Sequence, residues 1–194
     1  HSSHPYIMKA RLDTLYRKCN YTERIQNDPI LFPHRYHDPC DIEIAGFIAA
    51  AFAYGRIELF QAVLERIFKP MGSHPAEFIR DFSLKRDARL FHTIYYRFNT
   101  TEDILSLFKV LHEMLKKHST LEQAFVCHLN HADRTVEAAL TGFVAEALTI
   151  AKSFGALSKG LVQFFPSPGR GCACKRMNLF LRWMVRRDLP DFGI

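Results

Sequence analysis

The sequence predicts an all-α protein, and three observations carry that prediction. Apolar residues recur at helical spacing in nearly every segment between Pro, Gly and capping residues. No stretch of four residues alternates apolar and polar well enough to read as a paired strand. Connections are short, and no repeat at solenoid periods is found. The expected architecture is a multi-helix orthogonal bundle of about eight to ten helices. It would form one domain over 5–194, or two small lobes sharing a core.

Residues 6–18 read as the first helix, with Ile7, Leu12, Leu15 and Tyr16 toward the core and Lys9, Arg11, Arg17 and Lys18 outside. Asp28-Pro29 and Pro33-His34 bracket a segment that cannot be regular helix. Asp38 then supplies an N-cap, Pro39 the first helical position, and Asp41 a charge at the positive end of the dipole. From Ile42 to Tyr54 the run is apolar nearly all round, as in a buried central helix. Asp41 and Glu43 at its start read as helix-cap charges. Tyr54-Gly55-Arg56 breaks it, 57–68 forms the next helix, and Pro70-Met71-Gly72 ends that one. Short helical pieces are expected at 75–81 and 86–92. Thr100 or Thr101 with Asp103 opens an amphipathic helix with Ile104, Phe108, Leu111 and Leu115 inward. Ser119 or Thr120 caps another at 121–129. A long helix over 134–154 carries Leu140, Phe143, Val144, Ala147, Leu148 and Ile150, and a short one near 156–165 leads into Pro166.

Hydrophobic residues make up 48% of the chain and charged residues 24%, which excludes a disordered or fibrous protein. Five cysteines, an odd number, with no leader-like segment point to a reduced, cytoplasmic setting. The longest apolar run, Ile44 to Tyr54, is too short to cross a bilayer, so no membrane partner is expected. Net charge is +6, and residues 166–194 carry six Lys/Arg against two Asp/Glu, so +4 of the excess lies there. A concentrated basic patch is the electrostatic footprint of a nucleic-acid binder.

That basic stretch has an order. Pro166-Ser167-Pro168-Gly169-Arg170-Gly171 forms a turn-rich hairpin, and a helix over 173–187 follows. At 3.6 residues per turn, Lys175, Asn178, Arg182 and Arg186 make one polar stripe. Met177, Leu181, Met184 and Val185 face the core, with Arg176, Trp183 and Arg187 on one flank. Glycines before a helix leave backbone N–H groups that, with the dipole, make an anion site. Lys175 and Arg176 sit in the first turn, where positive charge costs about 0.3–1 kcal/mol, and an anion there would explain them. The N–H groups of 169–174 together with Gly169, Arg170, Gly171, Arg176, Asn178, Arg182 and Arg186 are thus candidate contacts to a nucleic-acid backbone, DNA first and RNA second. A partly buried Lys175 among other cations would lose its proton more readily, as an amine nucleophile toward a sugar C1′ requires. A phosphate-binding or solvated lysine is the plainer reading, and both stay open.

No metal or cofactor is expected. Cys172-x-Cys174 offers two thiols that point apart, and His34-x-x-His37 and His128-x-x-His131 offer two imidazoles each, short of the four ligands of a structural zinc site.

Two blocks carry a family resemblance. Residues 32–56 run from Phe32-Pro33-His34-Arg35-Tyr36 through Asp41-Ile42-Glu43-Ile44-Ala45-Gly46 to Ala53-Tyr54-Gly55-Arg56, and 172–187 hold Cys174-Lys175-Arg176 and Arg182-Trp183-Met184-Val185-Arg186. Both resemble a mainly bacterial family of conserved proteins of unknown function, over most of the chain. More distantly, Lys175 and Asn178 behind the glycines at 169 and 171 are similar to the hairpin of helix-hairpin-helix DNA glycosylases of the endonuclease III type. There a Pro-Gly-x-Gly-x-Lys turn is followed by an Asn three residues after the Lys. That resemblance implies a glycosylase-like helical fold, with Lys175 in the place of the nucleophile of the bifunctional glycosylase/abasic-site lyases. It implies that Tyr54 and Arg56 belong to the segment probing the space left by a flipped base. It implies no iron–sulfur cluster, since the four-cysteine loop is absent. It also implies a downstream Val/Leu-Asp-Thr-His stretch, and the chain stops at Ile194 before one, looking shorter than the family. The alternatives are a non-catalytic nucleic-acid-binding module, and a protein-interaction domain with an incidental basic helix that uses Trp183 or a Phe-rich surface.

Overall fold

A computed structural model describes residues 4–18, 23 and 25–194. Among them the regular structure is helical, apart from one antiparallel bridge between Tyr96 and Asn99. The first helix, α1 (His4–Lys18), forms where the spacing predicts it. Its inward face was misjudged: Leu12, Leu15 and Tyr16 are 57%, 62% and 40% exposed, and the side chain of Ile7 lies outside the described part. Helical spacing says which residues share a face but not whether another element covers it.

The Pro29–Leu31 and Pro33–Arg35 segments are 3-10 turns rather than regular helix. Asp38 Oδ1 accepts the N–H groups of Cys40 at 2.9 Å and Asp41 at 3.3 Å, and Pro39 follows at the first position of α2 (Pro39–Phe52). All of α2 from Asp41 to Phe52 is buried. Asp41 and Glu43 do act as caps, but of other helices. Asp41 Oδ1 accepts the Ala76 N–H at 2.8 Å at the start of α4 (Pro75–Arg80). Glu43 accepts Leu121 N–H at 2.7 Å and Glu122 N–H at 2.5 Å, at the start of α7 (Leu121–Val126). Burying these carboxylates is tolerable because each meets orphan N–H donors and a helix dipole.

Between them, α3 (Ile57–Met71) ends at Gly72, and α5 (Leu84–Phe91) begins two residues earlier than expected. A Thr100/Asp103 capping box opens α6 (Thr101–His118). The helix expected to reach 129 stops at Val126, where the Cys127 N–H bonds back to the Gln123 carbonyl. Two further helices, α8 (Glu137–Lys152) and α9 (Lys159–Phe164), start three residues later than the apolar pattern suggested and end one or two earlier, with Ser158 Oγ fixing the start of α9 by accepting the Leu161 N–H at 3.0 Å.

The core is one contiguous cluster built on phenylalanine. From α2, Phe47 meets Phe143 of α8 at 6.2 Å, Phe165 at 5.8 Å and Phe180 at 5.3 Å between ring centroids. Such pairs add about 0.5–1.5 kcal/mol each beyond area burial. The last helix, α10 (Lys175–Val185), lies against α2. Gly46 permits the approach, since a Cβ there would stand 3.0 Å from Met184 Cε. The face α10 buries is Met177, Phe180, Trp183 and Met184. The expected face is corrected accordingly: Val185 is 73% exposed and Leu181 only half-buried, because the larger rings of Phe180 and Trp183 take the core. Among the described residues no helix is long and apolar enough to cross a membrane.

Candidate nucleic-acid interface

The hairpin between α9 and α10 is a 3-10 turn, Pro168–Arg170, followed by Gly171 with φ 72°. That left-handed conformation suits glycine and would strain another residue. The backbone donors are less free than the sequence suggests. Arg170 N–H bonds Ser167 O at 3.1 Å, Gly171 N–H bonds Pro168 O at 2.8 Å, and Cys174 N–H reaches Cys172 Sγ at 3.3 Å. Cys174, left-handed at φ 48°, delays the start of α10 until Lys175, and that start has no side-chain cap. Burial pushes the Cys174 thiol up to about 11, helped by the neighbouring Cys172, so it sits as an inert thiol. Among the described residues Cys40, Cys127, Cys172 and Cys174 are free.

Each residue expected at the interface has a definite place. Gly169, Arg170, Gly171, Lys175 and Asn178 are exposed along the hairpin and the first turns of α10. The expectation of a partly buried lysine is not met: Lys175 is exposed. Asn178 Nδ2 donates to Ala173 O at 3.1 Å and braces the hairpin. A cleft of about 480 Å³ runs past Gly171, Cys172, Asn178 and Glu137.

Arg176 points inward. It donates to the Ala51 carbonyl at the end of α2 and to Gln163 O at 2.6 Å near the end of α9, and its guanidinium lies 5.0 Å over the Tyr54 ring. It therefore satisfies orphan carbonyls of two helices at once. Its donors serve the fold rather than a phosphate on the surface. The second half of the stripe is likewise engaged. Arg182 Nε donates to Asp191 Oδ2 at 3.1 Å, and Arg186 pairs with Asp188 at 3.1 Å and approaches Asp191 Oδ2 at 3.7 Å. This follows from the chain turning back after α10, with Phe192 N–H on Trp183 O at 2.8 Å. Trp183 is thereby sealed, 2% exposed, and is no surface contact.

Arg176 also sets what stands next to the hairpin. Tyr54, held under its guanidinium, stacks on Phe98 at 5.4 Å and 14°. The Tyr54 hydroxyl donates to Asn99 Oδ1, with Tyr96 O 3.3 Å away, and burial pushes that hydroxyl up, away from ionisation. A Cβ on Gly55 would fall 2.7 Å from Tyr96 Oη and 2.8 Å from Arg97 Nη1, so the Tyr54-Gly55-Arg56 loop and the 94–99 turn lie tightly together. The turn presents Tyr95 at 71% exposure and Phe98 at 55%, with Arg97 exposed between them and Arg56 beside the loop. Reasoning from sequence missed this turn. Its signal was the run Tyr95-Tyr96-Arg97-Phe98, an aromatic–basic cluster in a gap between helices.

The fold and the site together define an all-helical protein whose hairpin sets a lysine-headed helix beside an aromatic, arginine-bearing loop and turn. The chain belongs to the family described as a protein of unknown function (DUF2400), whose family model matches residues 28–194. That span includes both motif blocks and every residue of the interface. No protein of curated function and no solved structure matches the chain.

Proposed function

We propose that this protein binds nucleic acid, DNA in the first instance, across the α9–α10 hairpin and the adjoining 54–56 loop and 94–99 turn. One observation carries the reading: Arg176 ties the start of α10 to the end of α2 and to Tyr54, and Tyr54 stacks on Phe98, so one guanidinium links the hairpin end of α10 to the aromatic loop and turn. Arg170, Lys175, Arg56 and Arg97 would meet phosphates, and Tyr95 and Phe98 would stack on unpaired or extruded bases. This reading includes a helix-hairpin-helix glycosylase-like fold, supported by the hairpin glycines and the Lys175/Asn178 spacing.

Stacking makes a specific demand. Tyr95→Ala and Phe98→Ala should each weaken single-stranded oligonucleotide binding by about 1–3 kcal/mol while weakening intact duplex less. Equal loss on both, or none, would remove the aromatic part of the reading.

The exposure of Lys175 favours a second reading, a binding module without Schiff-base chemistry. Borohydride trapping on abasic-site DNA separates the two. A covalent adduct that disappears in Lys175→Ala selects the lyase, and no adduct in the presence of measurable binding selects the module.

A further inference from the structure

A second polar cluster lies where α6, α7 and α8 meet. His118 closes α6, Cys127 caps the end of α7, His128 follows it, and Glu146 stands in α8. His118 Nε2 is 2.6 Å from Glu146 Oε1, and His128 Nε2 is 2.8 Å from Glu146 Oε2. Donor atoms of His118, Cys127 and Glu146 all fall within 4.8 Å of one another. We propose that His118, Cys127, Glu146 and His128 form a binding site for a borderline-soft transition-metal dication of the Zn²⁺ class.

Ligand atoms around tetrahedral Zn²⁺ stand roughly 3–4 Å apart, given bonds of about 2.0–2.3 Å. His118, Cys127 and Glu146 therefore close on a metal with side-chain adjustments of about 1 Å, and His128 joins through the carboxylate it already bonds at 2.8 Å. Two imidazoles, a thiol and a carboxylate suit Zn²⁺ or Co²⁺, and they do not suit Mg²⁺ or Ca²⁺, which take oxygen ligands. The surroundings are shaped for it. Side-chain exposure is 13% for His118, 11% for Glu146 and 28% for His128, while Cys127 is exposed and leaves an entry path. On α8, Gly142 lies one turn before Glu146, and a Cβ there would stand 2.7 Å from His128 Nδ1, so this glycine seats the imidazole. Lys117, His118 and His128 all hydrogen-bond the Glu146 carboxylate, which already draws the two imidazoles to one point.

Binding has a defined proton balance. The Cys127 thiol releases its proton to solvent as its sulfur bonds the metal, and each imidazole gives its Nε2 proton to solvent and carries one on Nδ1 instead, so that Nε2 offers its lone pair. Lys117, 2.7 Å from Glu146 Oε1 and 62% exposed, is free to swing off the carboxylate as the metal takes its place. The ligands come from three elements, which is why no short motif announces the site.

The test is titration of the reduced protein with Co²⁺ alone, read by absorption. The expected result is one equivalent bound, with a thiolate-to-cobalt charge-transfer band and intense tetrahedral d–d bands. Cys127→Ser should remove the charge-transfer band, and Glu146→Gln or His118→Gln should weaken uptake about tenfold or more. A Cys172→Ser/Cys174→Ser double variant and His131→Gln should leave both unchanged. Zn²⁺ should displace the cobalt and raise the melting temperature. Absence of saturable uptake, or a charge-transfer band that survives Cys127→Ser, overturns the proposal and leaves an ion-pair cluster only. Variants that lose folding by circular dichroism are replaced in the comparison by Cys127→Ser, whose side chain is exposed.

Discussion

At position 176 a guanidinium has exchanged water for two main-chain carbonyls and the face of a tyrosine ring, and the local structure hangs on that exchange. Truncation leaves the ends of α2 and α9 with unpaired acceptors near the core, and hydrogen bonds to charged groups are worth more than neutral ones. Arg176→Ala should lower stability by about 3 kcal/mol in denaturant unfolding. Arg176→Lys should recover less than half of that, because one ammonium cannot fork to both carbonyls. Lys175, its neighbour, offers the contrast. It is exposed, so Lys175→Ala belongs among near-neutral surface substitutions, within about 0.5 kcal/mol. Sequence spacing placed these two residues in the same first turn, and it could not tell which of them turns inward. That choice depends on where Ala51, Gln163 and Tyr54 come to rest, and Ala51 and Tyr54 are more than 100 residues away in the chain.

At the scale of elements, the capped starts of α2 and α6 were the most legible part of the sequence, because caps are chemical and local. Asp38-Pro39 and Thr100 with Asp103 sit where the structure has them. Asp41 and Glu43 were legible as cap charges but not as caps for α4 and α7, since the partners lie 35 and 78 residues away. Glu43→Ala strips the acceptor from two N–H groups at the start of α7, and it should cost about 2–3 kcal/mol in unfolding experiments. The stripe on α10 was legible as a pattern, yet its cations are divided. Lys175 is open, while Arg182 and Arg186 face Asp191, whose Oδ1 is buried without a hydrogen-bond partner. The fold-back of residues 188–194 that brings Asp191 there has no periodicity to read. Asp191→Asn keeps the side-chain shape and releases Arg182, while Arg186 keeps its pair with Asp188. Under the nucleic-acid reading it should raise affinity and steepen the salt slope by about one, measured by fluorescence anisotropy.

For the whole molecule, the all-helical class and the central burial of α2 follow from composition and periodicity, and both are found in the structure. The candidate interface was half legible. Its hairpin glycines, Lys175, Tyr54 and Arg56 are visible in the sequence, but the Tyr95–Phe98 turn enters only through its packing against Gly55. The family match over residues 28–194 covers that entire surface. Four exposed cations, Arg56, Arg97, Arg170 and Lys175, then define the charge available to a phosphate backbone. The most direct measurement is the affinity for a labelled DNA oligonucleotide as a function of salt, for the wild type and an Arg170→Glu/Lys175→Glu variant of equal stability. The expected log–log slope for the wild type is about −3 to −4, and the variant should lose about tenfold or more in affinity and about two from the slope. Absence of binding at low salt, or wild-type and variant curves that coincide, would contradict the account.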